Sequence, residues 1–436
     1  MIVKIVSKKF DITDAHTLQV AKEQGAYSAL ESAFSKTPSE IVEIVTQSGL
    51  RGKGGGGAPT GKKWSLMPQK GDKPHYLIVN GDESEPGTFK DRQILQYDPH
   101  LLIEGIIISA YAMNASEAYV YIRGEYKFFI ERLQGAIDEA YAANILGENS
   151  TLKHKVNITI HRGAGAYICG EKTALIESLE GKRGHPRLKP KKPEPEFYFG
   201  NPATVNNVET IATVPYIVEN GADAYRQYGT EKSPGTMLFA LSGHVNNPGV
   251  YEMPYGSSLL EFINEIGGGV RDGKKLKAVI PGGASTPVIK ANEDLACVML
   301  DYESMRNVGS SLGTGGAIVM DEDTDMVEAL KNLLEFYHHE SCGQCTPCRE
   351  GSGWVDNIVG AILDGVAKKE DLDTLLDVAK TMNGKTICVF APAVSGVIEG
   401  FLKNFRDEFE NYIETGRYVK THVDEITEVA CQTSLE

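Results

Sequence analysis

Apolar and polar positions follow different periods in successive stretches of the chain, and the changes of period mark its organisation. Ile41, Ile44 and Val45 recur at helical spacing. They follow Thr37-Pro38-Ser39-Glu40, which supplies a capping hydroxyl, a proline in the first turn and a carboxylate three residues on. Short apolar runs bounded by turn residues then predict buried strands at Tyr76–Asn80, Ala118–Ile122 and Val156–Ile160, with helical stretches between them. That alternation predicts an α/β layer over about 50–230. The most apolar run, Leu101–Ile108, is interrupted by Glu104; it is too short to span a bilayer and reads as a buried helix. Leu188–Pro202, rich in Pro and Lys, reads as a functional surface loop. Between Thr236 and about Met320, strand-like runs (Leu238–Leu241, Lys277–Ile280, Ala317–Met320) alternate with Gly and Pro turns, which predicts a small separate α+β domain. From Asp323 onward the spacing is helical again, through Met326, Leu330, Leu333, Leu334 and Tyr337, then Val355, Ile358 and Ile362, then Val394, Val397, Phe401 and Phe405. The expected domains are therefore 1–235, 236–322 and 323–436, with Trp64 and Trp354 read as core residues.

Composition narrows the class without naming a function. A length of 436 residues exceeds what one core usually holds, and 41% hydrophobic with 24% charged residues is ordinary for a soluble protein. A formal net charge of −15 argues against nucleic-acid binding. The opening residues, MIVKIVSKKFDITD, contain no long apolar region and no cleavage signal, so a cytoplasmic chain that is not itself membrane-embedded is expected.

Cysteine spacing changes the picture most. Cys342, Cys345 and Cys348 lie within seven residues, and Cys388 returns after thirty-nine more. Three thiols from one loop and a fourth from a remote segment suit a cubane [4Fe–4S] cluster. A structural zinc site is the alternative, although it more often pairs two knuckles or adds His. The other three of the seven cysteines, Cys169, Cys297 and Cys431, are expected to be reduced. His338 and His339 read as structural or tuning residues, since four thiols already suffice.

Three further segments carry candidate chemistry. Gly52, Gly54, Gly55, Gly56 and Gly57 put five glycines into six residues, including a literal Gly-x-Gly-x-x-Gly. No strand precedes them, so the dinucleotide fingerprint does not apply. What remains is backbone that a flat or anionic ligand can approach closely, with Lys53, Lys62 and Lys63 adding charge. A phosphate-bearing cofactor and a plain surface loop are the two readings. Asn80, Asp82, Glu83, Ser84 and Glu85 follow the first strand, at the strand end where α/β proteins bind ligands. Arg162-Gly-Ala-Gly-Ala-Tyr-Ile-Cys-Gly-Glu follows another strand and opens a helix near Thr173, a setting in which amide N–H groups attract anions. Cys169 within it reads as a small packed residue.

Several segments together resemble one family, the flavoprotein (F) subunit of respiratory complex I, the NADH–quinone oxidoreductase. The matching text is Gly-Lys-Gly-Gly-Gly-Gly-Ala-Pro-Thr-Gly-Lys-Lys-Trp (52–64), Asn-Gly-Asp-Glu-Ser-Glu-Pro-Gly-Thr-Phe-Lys-Asp-Arg (80–92), Gly-Ala-Gly-Ala-Tyr-Ile-Cys-Gly-Glu (163–171), Val-Asn-Asn-Val-Glu-Thr (205–210) and Glu-Ser-Cys-Gly-Gln-Cys-Thr-Pro-Cys-Arg (340–349). The resemblance implies an α/β FMN-binding domain, a small α+β domain of β-grasp type and a C-terminal helical bundle carrying the cluster. It implies FMN, one [4Fe–4S] cluster and NADH as donor, with the flavin carrying the chemistry and no catalytic acid or base from the protein. By analogy Gly52, Gly54, Gly55, Gly56, Gly57, Lys63, Asn80, Asp82, Glu83, Ser84, Tyr167, Gly170, Glu171, Asn206, Asn207 and Thr210 would hold FMN. Glu85 and Lys189 would face the nucleotide, and the four cysteines would bind the cluster. The implied partners are the thioredoxin-like [2Fe–2S] protein of the complex and its large iron–sulfur protein. The implied location is the inner face of the cell membrane, reached only through the complex.

The nucleotide-facing text departs from the family pattern. Lys53, Gly56 and Ala58 replace its Arg, Ala and Phe; Lys172 replaces a second acidic residue; Lys192 stands where an aromatic is expected. Each lost stacking contact costs on the order of 1 kcal/mol. An ammonium at Lys172 would attract the 2′-phosphate that a carboxylate repels. Three functional readings follow: an NADH dehydrogenase with a rebuilt nucleotide pocket, the same module adapted to NADPH or to reduced ferredoxin or flavodoxin docking on the lysines, and a structural component without donor binding.

Overall fold

Strands β1 (Tyr76–Gly81), β2 (Glu117–Ile122), β3 (Asn157–Arg162), β4 (Glu196–Tyr198) and β5 (Asn201–Asn207) form one sheet in the order β3-β2-β1-β5-β4. Neighbours among β3, β2, β1 and β5 are parallel, and β4 runs antiparallel to β5. The sequence turns back across β1, so β1 and β5 flank the point where strand order reverses; in such sheets that is where ligands bind. This computed structural model describes residues 2–68, 73–423 and 426. They fall into two units: Met1–Ser84 with Phe89–Leu238 and Tyr251–Tyr255, and Glu85–Thr88 with Phe239–Val250 and Gly256–Glu436.

In the first unit the three expected strands are present within a residue or two of their predicted bounds. The Leu188–Pro202 loop needs correcting, because β4 lies inside it and β5 begins at its end. Asn-Pro text reads locally as a turn. Here parallel pairing with β1 and the burial of Ala203, Thr204 and Val205 override that preference. The Pro38–Gln47 helix carries the anticipated reciprocal cap, with Thr37 N–H donating to Glu40 at 2.7 Å and the Thr37 hydroxyl accepting from Glu40 N–H. The apolar run becomes the Pro99–Ala112 helix, buried along nearly its whole length. Gly105 lets it cross the Val208–Asn220 helix closely, since a Cβ there would stand 2.2 Å from the Ile211 carbonyl oxygen. Glu104 is buried in this helix; its carboxylate accepts the Ala29 N–H at 2.9 Å, and burial pushes it up to about 7.

In the second unit, β6 (Thr236–Gly243), β7 (Gly249–Pro254), β8 (Leu276–Ile280), β9 (Ile289–Lys290) and β10 (Gly316–Asp321) form a mixed sheet in the order β7-β6-β10-β8-β9. This is the expected small α+β domain. A buried ion pair, Lys277 Nζ to Glu408 Oε1 at 2.9 Å, ties β8 to the Phe390–Thr415 helix. The bundle comprises that helix with Met326–Glu340, Thr346–Leu363 and Glu370–Met382. Gly351 and Gly353 allow close helix approach: a Cβ at the first would meet Met382 Sδ at 2.6 Å, and at the second His338 Nε2 at 3.1 Å. Two readings are corrected here. Trp354 is 57% exposed, because Val355, Val359 and Ile362 take the inward face of its helix. Cys297 is disulfide-bonded rather than reduced, while Cys431 lies outside the described residues. Among the described residues no helix is long and apolar enough to cross a membrane.

Candidate functional site

The glycine run forms a loop closed at its base. Arg51 and Pro59 bridge, Gly52 N–H donates to Ala58 O at 2.8 Å, and Thr60 N–H donates to Leu50 O at 2.8 Å. Gly55 and Gly57 have φ of +105° and +59°, backbone that glycine adopts without strain. The loop lies against the end of β5: a Cβ on Gly54 would stand 3.2 Å from Asn207 Cβ, and Lys53 N–H donates to Thr210 Oγ1 at 2.9 Å. The register of the parallel pair places Asn207 beside Asn80 of β1. Asn80 Nδ2 in turn reaches Gly170 O at 2.9 Å. Four separate segments singled out in the sequence thus meet at one end of the sheet.

Many candidate side chains there brace the scaffold. Glu83 accepts the N–H groups of Asp91 and Arg92 at 2.8 and 3.3 Å and the Tyr126 hydroxyl at 3.1 Å. Glu171 caps the Lys172–Leu179 helix through Thr173 and Ala174 N–H at 2.9 and 3.0 Å. Asn207 caps the Val208–Asn220 helix and also donates to Asp91. Asp82 accepts from Ser84 Oγ at 2.7 Å. Asn206 differs: its Oδ1 accepts from Trp64 Nε1 at 3.3 Å, while its buried Nδ2 has no acceptor among the described residues. An unmet buried donor costs about 1–3 kcal/mol, so this amide suits a ligand acceptor.

Beneath these loops lies a set of buried charges that the sequence reading missed. Glu209 pairs with Lys53 at 3.1 Å and with Lys90 at 2.7 Å, and Lys90 also pairs with Asp91 at 2.8 Å. Burial would raise Glu209, but the two ammonium groups outweigh it and hold the carboxyl below its ordinary range. Burial pushes Asp91 up to about 6 against the pull of Lys90. Lys53 therefore faces inward and adds no charge for a ligand, contrary to expectation. A signal was present, since Lys90-Asp91 and Glu209 both fall within the motif text at 80–92 and 205–210. Lys63 lies against β5: Nζ donates to Val205 O at 2.6 Å, and burial, followed by repulsion from Lys172, lowers it to about 8. Lys172 itself forms an ion pair with Glu196, which offsets the charge expected to favour a 2′-phosphate. Lys189 and Lys192 are exposed.

The thiol-bearing segments meet in the second unit. Cys345 is the N-cap of the Thr346–Leu363 helix, and Cys388 lies two residues before the Phe390–Thr415 helix. Helix N-termini carry partial positive charge that favours thiolates. Ile387 N–H donates to Cys345 Sγ at 3.4 Å, joining the remote segment to the loop. Ser341 Oγ lies 3.3 Å from Cys348 Sγ. Burial raises the Cys348 thiol, Ser341 opposes that, and Cys342 and Cys345 raise it further by their proximity. Among the described residues no three His, Cys, Asp or Glu side chains are set to hold one ion. A cubane makes a different demand, since each thiolate binds its own iron corner.

A family model described as the Nuo51 FMN-binding domain matches residues 45–216, an SLBB domain matches 237–327, and the NADH-ubiquinone oxidoreductase-F iron–sulfur binding region matches 328–412. The NADH-quinone oxidoreductase F subunit of Rickettsia typhi is 48% identical over 402 residues, covering 92% of this chain and 95% of its own. The chain belongs to the family of NADH-quinone oxidoreductase F subunits. A Rhizobium meliloti member of the family is likewise 48% identical over 400 residues, 91% of this chain and 92% of its own. Among solved structures, a chain of an NAD+-reducing [NiFe]-hydrogenase in the air-oxidized state aligns with a TM-score of 0.82 and 35% identity, over 94% of this chain and 67% of that one. All four motif cysteines fall inside the iron–sulfur region, which removes zinc as the alternative. Nothing in these relatives supports NADPH, a protein donor or a purely structural role.

Proposed function

We propose that the chain is the electron-input component of an NADH–quinone oxidoreductase, accepting hydride from NADH and passing single electrons onward. When bound, FMN supplies the exchange between hydride and single electrons, and the [4Fe–4S] cluster takes one electron at a time. The observation that carries the reading is the meeting, in a chain of this family, of a glycine loop and the β1 and β5 ends, together with four thiols at two helix starts.

For the FMN site, the proposal assigns different tasks to different residues. Gly52, Gly54, Gly55, Gly56 and Gly57 admit the ligand against bare backbone, and Asn206 Nδ2 and Lys63 Nζ donate to it. Asn80, Asp82, Ser84, Tyr167 and Gly170 line it. Glu83, Glu171, Asn207 and Thr210 hold the lining in place through the bonds described above, so their part is positioning. Cys342, Cys345, Cys348 and Cys388 hold the cluster. Glu85 receives the nucleotide, and no side chain acts as acid or base toward the hydride. The domain division at 235/236 and 322/323 follows the same assignment. The electron-accepting neighbours are a thioredoxin-like [2Fe–2S] protein and the large iron–sulfur protein of the complex, with the assembly on the inner face of the cell membrane; the naming of the relatives as a subunit supports membership of a multi-subunit assembly.

Anaerobic stopped-flow mixing of the cofactor-loaded chain with NADH, NADPH and reduced ferredoxin tests the reading. NADH is expected to bleach the flavin absorbance rapidly and to develop a reduced-cluster EPR signal. Flavin that stays oxidised with NADH but bleaches with ferredoxin would overturn it.

A further inference from the structure

Glu85 to Thr88 group with the second unit, and the contacts within that unit show why. Glu85 Oε1 accepts the Ser285 N–H at 2.6 Å, and Pro86 O accepts the Ala284 N–H at 3.0 Å. The hydroxyls of Thr88 and Thr314 bond to each other. The receiving loop is itself tied down: Gly283 N–H donates to Gly316 O at 2.7 Å, Gly282 N–H to Thr286 Oγ1 at 3.1 Å, and Thr286 Oγ1 to Gly283 O at 2.9 Å. Gly283 has φ of +95°, and a Cβ added there would stand 2.6 Å from Glu85 Cγ and 2.9 Å from its Oε1. The glycine is therefore the floor on which the Glu85 side chain lies.

We propose that the Gly282–Ser285 loop of the SLBB domain is a positioning element for nucleotide binding: the Ser285 N–H and the bare Gly283 backbone fix the Glu85 carboxylate in the orientation that receives the donor groups of NADH. The chemistry suits it, since a carboxylate whose orientation is fixed by a backbone N–H presents directed lone pairs to ribose hydroxyls or a carboxamide N–H. This rests on the reading that Glu85 faces the nucleotide. It adds that a domain carrying neither proposed cofactor controls affinity for the donor.

The test is NADH-dependent ferricyanide reduction by the cofactor-loaded complex, with flavin content measured on each variant. Gly283→Ala is expected to raise the KM for NADH about fivefold or more, with kcat and flavin content within about twofold of wild type, because it disturbs ground-state binding. In a Glu85→Ala background, where the atoms it would strike are gone, Gly283→Ala is expected to change KM less than about twofold. Glu85→Asp, one methylene too short to reach Ser285, keeps the charge and disturbs folding least; its KM is expected to rise as in Glu85→Ala. Equal effects of Gly283→Ala in both backgrounds, or a wild-type KM for Glu85→Asp, would overturn the inference while the functional reading stands. A wild-type complex that fails to oxidise NADH would overturn both.

Discussion

The proposed flavin end of the α/β sheet and the proposed cluster site of the helical bundle would solve the same task, holding an electron carrier, by opposite means. The sheet end is braced from below by buried ions, with Glu209 between Lys53 and Lys90, and by carboxylates and amides engaged in capping turns. Its ligand-facing surface is largely backbone. The bundle core is apolar, and its thiols stand at the starts of two helices, where Ser341 Oγ lies against Cys348 Sγ and Ile387 N–H donates to Cys345 Sγ. Shape at the first site is set by the polypeptide before a ligand arrives. At the second, the ligand itself is the strongest bond available, so residue identity matters more than the surrounding mesh.

Removing a thiol is the harshest way to probe this contrast. Cys388→Ser deletes the remote ligand and is expected to abolish the reduced [4Fe–4S] EPR signal while leaving flavin bound; an intact signal would contradict the assignment. Next comes Glu209→Ala, which takes the carboxylate from the buried Lys53 ammonium and leaves Lys90 with Asp91. Such a loss costs about 3–5 kcal/mol and should lower the first unfolding transition by on the order of 10 °C, whereas a shift within about 2 °C would show the bracing to be dispensable. Glu104 offers a pH-resolved test. Its carboxyl is raised from 4.5 to about 7, so the folded state holds a proton that the unfolded chain releases. The stability linked to that proton is full below 4.5 and is lost as pH rises through about 7. Glu104→Gln is therefore expected to gain on wild type between pH 4.5 and 7 by up to about 3 kcal/mol in denaturant midpoints, and parallel pH profiles would refute it. The mildest change, Asn206→Ala, should weaken FMN binding about tenfold in a fluorescence titration. Unchanged affinity would mean that its unmet donor faces no ligand.

The same contrast explains what could be read in the sequence. Thiol spacing announces its chemistry, because iron demands that residue type at short intervals. The Thr37 cap, β1, β2 and the bundle helices were legible because each is set by local pattern. Strand β5 was not, since its start falls in the Pro- and Lys-rich stretch that reads as a loop and only pairing with β1 makes it a strand. Lys53 was misread for a related reason: a lysine in a glycine loop reads as ligand charge until Glu209 appears beneath it. Trp354 illustrates the limit of size and apolarity as guides, because helical phase put Val355 inward instead.

The pairing of Asn80 with Asn207 also bears on how the chain matures. While the polypeptide is being made, β1, β2 and β3 can associate as soon as they emerge, leaving β1 as a bare margin. Only much later does Asn201–Asn207 arrive to cover that margin. Until then the proposed flavin site is incomplete, and the open margin is what a chaperone would need to shield.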